Sequence, residues 1–258
     1  MCLKLRSILH RALRAGFASL VFLAASNRGE AAVAPKIEPN ALRVLQSAAA
    51  YLKAQNSFAF NANIRFDDVQ PSGLKYQLHA QAKYEVARPG NLFVDYTGDR
   101  REASFYSDGK TFVFYDRGAN VYGTAPASND TTATLNAIFA KYDFTVPLDD
   151  LVSTDPTKSL TGKLQSGYDL GPSTVGGAAT HHLLFTQSDI DWQIWIDSGA
   201  TPLIRELSIT YKKLPGQPEY TATLNDWSFT PIDASAFSFT PPKDALHVNF
   251  VTISKGAS

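Results

Sequence analysis

The hydrophobic pattern changes period along the chain. Between Pro35 and Ala54, Ile37, Ala41, Leu45, Ala48 and Leu52 recur at steps of three or four, with start signals at Pro39 and Asn40. This predicts an amphipathic helix whose alanine-rich stripe lies close on a partner surface. The period then drops to two. Phe58, Phe60, Ala62, Ile64 and Phe66 are separated by Asn61, Asn63 and Arg65. Leu74, Tyr76, Leu78, Ala80, Ala82, Tyr84 and Val86 face one way, and Lys75, Gln77, His79, Gln81, Lys83 and Glu85 the other. Alternation this long predicts an antiparallel strand with one apolar and one wet face. Pro71-Ser72-Gly73 turns the chain between the two strands.

Shorter strands are expected over 91–96, 102–107, 110–115 and 120–124, with Asp108-Gly109 as a hairpin turn. After Asn129-Asp130 the helical period returns in Leu135, Ile138, Phe139 and Tyr142, and Pro147 opens a further turn carrying Leu148, Leu151 and Val152. A loop rich in Gly, Pro, Ser and Thr follows. Strands resume over 181–186, 192–197, 203–213 and 220–229. The fold class is mainly β with α: an antiparallel meander of about ten or eleven strands, with one helix before it and one or two inserted midway. A long sheet that is apolar on one face must curl around something.

Composition narrows the class. The chain has 258 residues, 44% apolar and 19% charged, which excludes a disordered chain and a multi-span membrane protein. Its 24 basic and 24 acidic side chains leave no basic footprint for nucleic acid. Lys4, Arg6, Arg11 and Arg14 precede an uncharged run from Ala15 to Asn27, too short as a helix to cross a bilayer core of about 30 Å. Residues 1–31 therefore read as a secretory signal peptide cut near Gly29-Glu30-Ala31, leaving one domain over 32–258. Five basic groups and one acidic group leave with it, so the mature chain is mildly acidic. Cys2, the single cysteine, leaves too, and with it any disulfide, thiolate metal site or cysteine nucleophile.

Catalytic, metal and cofactor signatures are missing: there is no HExxH, no G-x-S-x-G, no phosphate loop and no dinucleotide glycine fingerprint. His181 and His182 are adjacent in a strand and point to opposite faces, so they cannot share a metal. Asp189 and Asp191, if both lie in the strand, stand about 7 Å apart on one face, a separation that suits a glycosidase pair. That face also carries Gln193 and Asp197 and reads as a solvated surface, with Trp192, Ile194 and Ile196 on the buried side. The apolar sheet face beneath the helices is either a closed core or the wall of a cavity for an apolar ligand.

Three stretches together resemble the LolA-like superfamily of periplasmic lipoprotein carriers: Arg88-Pro89-Gly90-Asn91-Leu92-Phe93, Tyr106-Ser107-Asp108-Gly109-Lys110-Thr111-Phe112, and Phe237-Ser238-Phe239-Thr240-Pro241-Pro242. The stretch Asp189–Asp197 with Pro202 and Ile209-Thr210-Tyr211-Lys212 is similar to a predicted periplasmic family of unknown function within that superfamily. The chain departs from the carrier pattern at the extra Gly90 and in the loop from Asp155 to Ala179. The resemblance implies a strongly curved antiparallel sheet, or incomplete barrel, with lid helices over an apolar cavity. It also implies that Arg88 latches main-chain groups of the lid, for which a guanidinium with five donors is suited.

The expected function is a non-catalytic periplasmic carrier for a hydrophobic, acylated ligand such as a lipid or a lipoprotein acyl chain. An envelope membrane protein would serve as donor or acceptor. Helices 40–54 and 131–142 form the lid, Tyr76, Leu78, Phe105, Phe114, Leu135 and Phe139 the lining, and Arg88 the latch. The alternatives are a packed interaction or regulatory module of the same fold and, third, a hydrolase using Asp189 and Asp191.

Overall fold

A computed structural model of the protein describes residues 36–252, so the expected signal segment lies outside the described residues. Helix α1 spans Pro39–Ala54 and begins at the start signals Pro39 and Asn40, which leaves Ile37 of the periodic set outside it. The residue before a proline is pushed into extended backbone, and Glu38 is extended there. Ile37 accordingly stands outside the helix and bridges Gly167.

Two antiparallel meanders follow. The first comprises β1 (Ser57–Val69), β2 (Lys75–Ala87), β3 (Asn91–Gly98), β4 (Arg101–Asp108), β5 (Thr111–Asp116) and β6 (Val121–Pro126). Helices α2 (Thr131–Tyr142), α3 (Asp149–Val152) and α4 (Pro156–Thr161) then carry the chain to the far edge. The second comprises β7 (Ser166–Val175), β8 (Ala178–Thr186), β9 (Ile190–Asp197), β10 (Ile204–Tyr211) and β11 (Glu219–Ser228), and closes on β1. A two-residue strand, β12 (Leu246–His247), adds parallel to β6. The strands form one open sheet, ordered β12-β6-β5-β4-β3-β2-β1-β11-β10-β9-β8-β7.

The stretch expected to be a loop between α3 and β8 instead contains α4 and β7. Gly171, at positive φ, accompanies a register shift, and Pro172 follows it. An edge strand tolerates both because its outer N–H groups need no partner, and together they hide the period. β2 also differs from its pattern at one end. Leu74 is 65% exposed and Tyr76 37%, and burial begins at Leu78.

The face covered by the helices, here the inner face, holds the core. Ala41, Val44, Leu45, Ala48, Ala49 and Leu52 of α1 are buried together with Phe58, Phe60, Tyr84, Trp192, Ile194 and Ile196 from the strands. The alanines let α1 lie close against β7, β8 and β9. Full burial of each large aliphatic side chain contributes about 2 kcal/mol.

Candidate functional site: the latched helices and the aromatic edge

Arg88 follows β2 directly. Its Nε donates to the carbonyl of Gln55 at 3.1 Å and its Nη1 to that of Ser153 at 2.6 Å. These residues cap the C-termini of α1 and α3, where helix carbonyls lack intrahelical partners and carry partial negative charge. The guanidinium carbon lies 5.5 Å from the centre of the Phe58 ring. Burial pulls its pKa below the ordinary value, against the opposing pull of Asp155 and Asp130.

Further ties fix the same end of the molecule. Tyr84, fully buried and stacked on Phe60, donates to the carbonyl of Pro147 at 2.9 Å. Lys53 of α1 pairs with Asp155, the N-cap of α4, at 2.9 Å. At the start of α2, Asp130 accepts from Ala133 N and Thr154 Oγ1, and Thr131 N donates to the carbonyl of Pro89. The extra Gly90 belongs to this junction: a Cβ there would meet Asn129 at 2.9 Å and Gly109 at 3.0 Å. Its missing side chain lets three turns meet.

The far end of α2 is closed differently. Phe105, Phe112 and Phe114 lie on the inner face of β4 and β5, with the Phe105 and Phe112 rings 5.8 Å apart. Tyr142 and Phe144 descend on them, Phe144 at 5.4 Å from Phe114 and Tyr142 at 6.1 Å from Phe112. Phe114, Tyr142 and Phe144 are all half-buried, unlike the sealed core under α1.

Beside them, α2, α3 and α4 enclose a cleft of about 70 Å³ lined by Leu135, Phe139, Thr132, Asn136, Asp150 and Ser153 among others. That holds a few waters, whereas small-molecule sites span about 300–1,000 Å³. Burial raises the Asp150 carboxyl to about 6, opposed by Lys163. Its Oδ2 is buried without a hydrogen-bond partner.

The structure thus gathers Phe105 and Phe114 at the aromatic edge and Leu135 and Phe139 at the cleft. Leu78 is buried in the core. Tyr76 stands apart, its hydroxyl donating to Asp68 at 2.7 Å with Arg100 beside it. Asp189 lies in the turn before β9, so it does not share a strand face with Asp191, which pairs with Lys212 at 2.8 Å. Asp197 is held by Arg205 through two nitrogens. His182 bonds Gln193 and stacks on Trp195 at 4.2 Å. Among the described residues no cluster of three or more His, Cys, Asp or Glu is placed to hold a metal ion. Sequence reasoning missed Phe144, Asp150 and Phe250 as site residues. For Phe250 a signal existed in the two-residue spacing of Leu246, Val248 and Phe250.

The architecture is an open, mainly β sheet with helices across its apolar face. The chain belongs to the family of predicted periplasmic proteins designated DUF2092, whose model matches residues 41–251. That family places the protein in the periplasm. No curated protein matches it in sequence. A conserved uncharacterized protein from Thermus thermophilus is similar in structure at 12% identity and TM-score 0.46, covering 81% of this chain and 99% of the other. Lipoprotein LppX from Mycobacterium tuberculosis is similar at 11% identity and TM-score 0.42, covering 76% and 99%. The LolA superfamily protein NE2245 from Nitrosomonas europaea aligns at 13% identity and TM-score 0.34, covering 77% and 97%.

Proposed function

We propose that the protein is a non-catalytic periplasmic binding protein or carrier for an amphiphile bearing an acyl chain. The chain would lie between the inner face of β4–β6 and the C-terminal end of α2, and a membrane protein of the envelope would deliver or receive it. The uneven closure of the inner face supports this reading. Under α1 the side chains are fully buried, while Phe114, Tyr142 and Phe144 stay half-buried even with the ring of Phe250 packed against Tyr142 and Phe144. Each methylene moved there from water contributes about 0.8 kcal/mol, so a chain of about twelve carbons can offset the ordering cost of binding. Phe105, Phe114, Leu135 and Phe139 would line the path. Arg88 would hold the lid as α2 moves.

The small size of the cleft favours a second reading, a packed interaction or regulatory module. Native mass spectrometry of residues 32–258, exported and purified without detergent, separates the two. A stoichiometric lipid or acylated peptide supports the carrier. A bare mass that stays unchanged with added acyl chains supports the packed module.

A further inference from the structure

The C-terminal segment places one phenylalanine on each side of the sheet. Phe239 lies on the outer face, its ring 5.2 Å from both Tyr115 and Tyr122 and 5.3 Å from Tyr106. The chain then rounds the β6 edge as β12. His247 turns outward onto Tyr122 at 5.1 Å, whereas Phe250, three residues on, turns to the inner face. Phe250 ends over Gly123, 4.9 Å from the ring of Tyr142, 5.3 Å from Phe112 and 6.2 Å from Phe144. A Cβ on Gly123 would meet the Phe250 ring at 2.9 Å, so the absent side chain makes the room.

The two ends of this strap are held unequally. Upstream, Phe237 is buried and its turn packs on β3 and β4. Downstream, the backbone bonds include Leu246 N to Asn120 O at 3.0 Å and Val248 N to Tyr122 O at 2.8 Å. The neighbouring side chains Leu246 and Val251 are 67% and 84% exposed. A two-residue edge strand with exposed neighbours opens at low free-energy cost.

We propose that Phe250 is a resident plug: it occupies, in the unloaded protein, the acyl-chain site formed by Phe112, Gly123, Tyr142 and Phe144. A linear acyl chain displaces it while β12 peels from β6. This rests on the carrier reading above. The phenyl ring and a methylene chain need the same dry, aromatic-walled space, so they compete. The ligand's apparent affinity then falls by the fraction of time the plug is out. The plug also keeps an unloaded carrier from presenting an open apolar patch to other proteins.

The test is a titration of the mature chain with dansyl-labelled undecanoic acid, in wild type and Phe250→Ala, together with hydrogen exchange of the wild type with and without the probe. The expected results are about tenfold tighter binding by Phe250→Ala and faster exchange at the Leu246 and Val248 amides when the wild type is loaded. Equal affinities with unchanged exchange at those amides overturn the plug and leave the carrier standing. A probe that binds neither protein overturns both. Should Phe250→Ala fail to fold, the wild-type exchange decides.

Discussion

Arg88 donates to the carbonyl of Ser153 across 65 positions of sequence, at 2.6 Å. The bond joins the loop after β2 to the end of α3, and a second bond from the same guanidinium holds the end of α1. Replacing Arg88 with leucine leaves both carbonyls without their charged donor. Hydrogen bonds to charged groups contribute about 1.5–3 kcal/mol each. Arg88→Leu should therefore lose about 3 kcal/mol in urea unfolding, keep a near-native circular dichroism spectrum and release bound lipid faster. Unfolding of the variant in the absence of denaturant would make Arg88 a core requirement and not a latch.

Asp150 gives the protein a pH signature. Its folded-state pKa, about 6, lies above the ordinary 3.8 because burial disfavours the charge. Between those values the native state binds more protons than the unfolded chain, so this group's contribution is full below about pH 3.8 and is lost as pH rises through about 6. Asp150→Asn should abolish that slope. It should also be more stable than wild type at pH 8 by at most about 3 kcal/mol, since the shift from 3.8 to about 6 spans about two tenfold changes in proton affinity of about 1.36 kcal/mol each. Parallel unfolding curves for the two proteins from pH 4 to 8 would refute the assignment.

The acidic run around β9 is expected to be structural. Asp191 faces Lys212 with both side chains about a third exposed or more, and such pairs contribute under about 1 kcal/mol. The double change Asp189→Asn and Asp191→Asn should leave lipid retention intact and lower stability by less than about 1 kcal/mol. Loss of a function that the fold survives would revive a catalytic role.

Phe239 anchors the strap among three tyrosines on the outer face. Phe239→Ala should cost about 2–3 kcal/mol locally and make residues 240–252 the first site cut in limited proteolysis. Cleavage that begins elsewhere, at the wild-type rate, would show that the strap is held by something other than this ring.

Most elements were legible because their signals are local. Period-two alternation in β2 follows from the geometry of one strand, and Leu135, Ile138 and Tyr142 fall on one side of α2 by helix geometry alone. β7 was not legible, since an edge strand accepts Gly171 and Pro172 without losing its partner β8. Tyr76 and Leu78 share a face, yet one is exposed and the other buried. Alternation reports which way a side chain points and not whether anything covers it.

The candidate site divides along the same line. Arg88 was recognisable from its motif, but Ser153 as its acceptor depends on how α3 returns over the sheet. By itself the sequence determined the apolar face, the helices that must cover it and the absence of familiar catalytic and metal motifs. Each of these follows from neighbouring residues along the chain. Tertiary structure alone decided that α1 seals its half of the face while the rings near β6 stay half-covered. It also decided that Phe250 fills the space left by Gly123, because side chains distant in sequence compete for one volume only once the chain has folded.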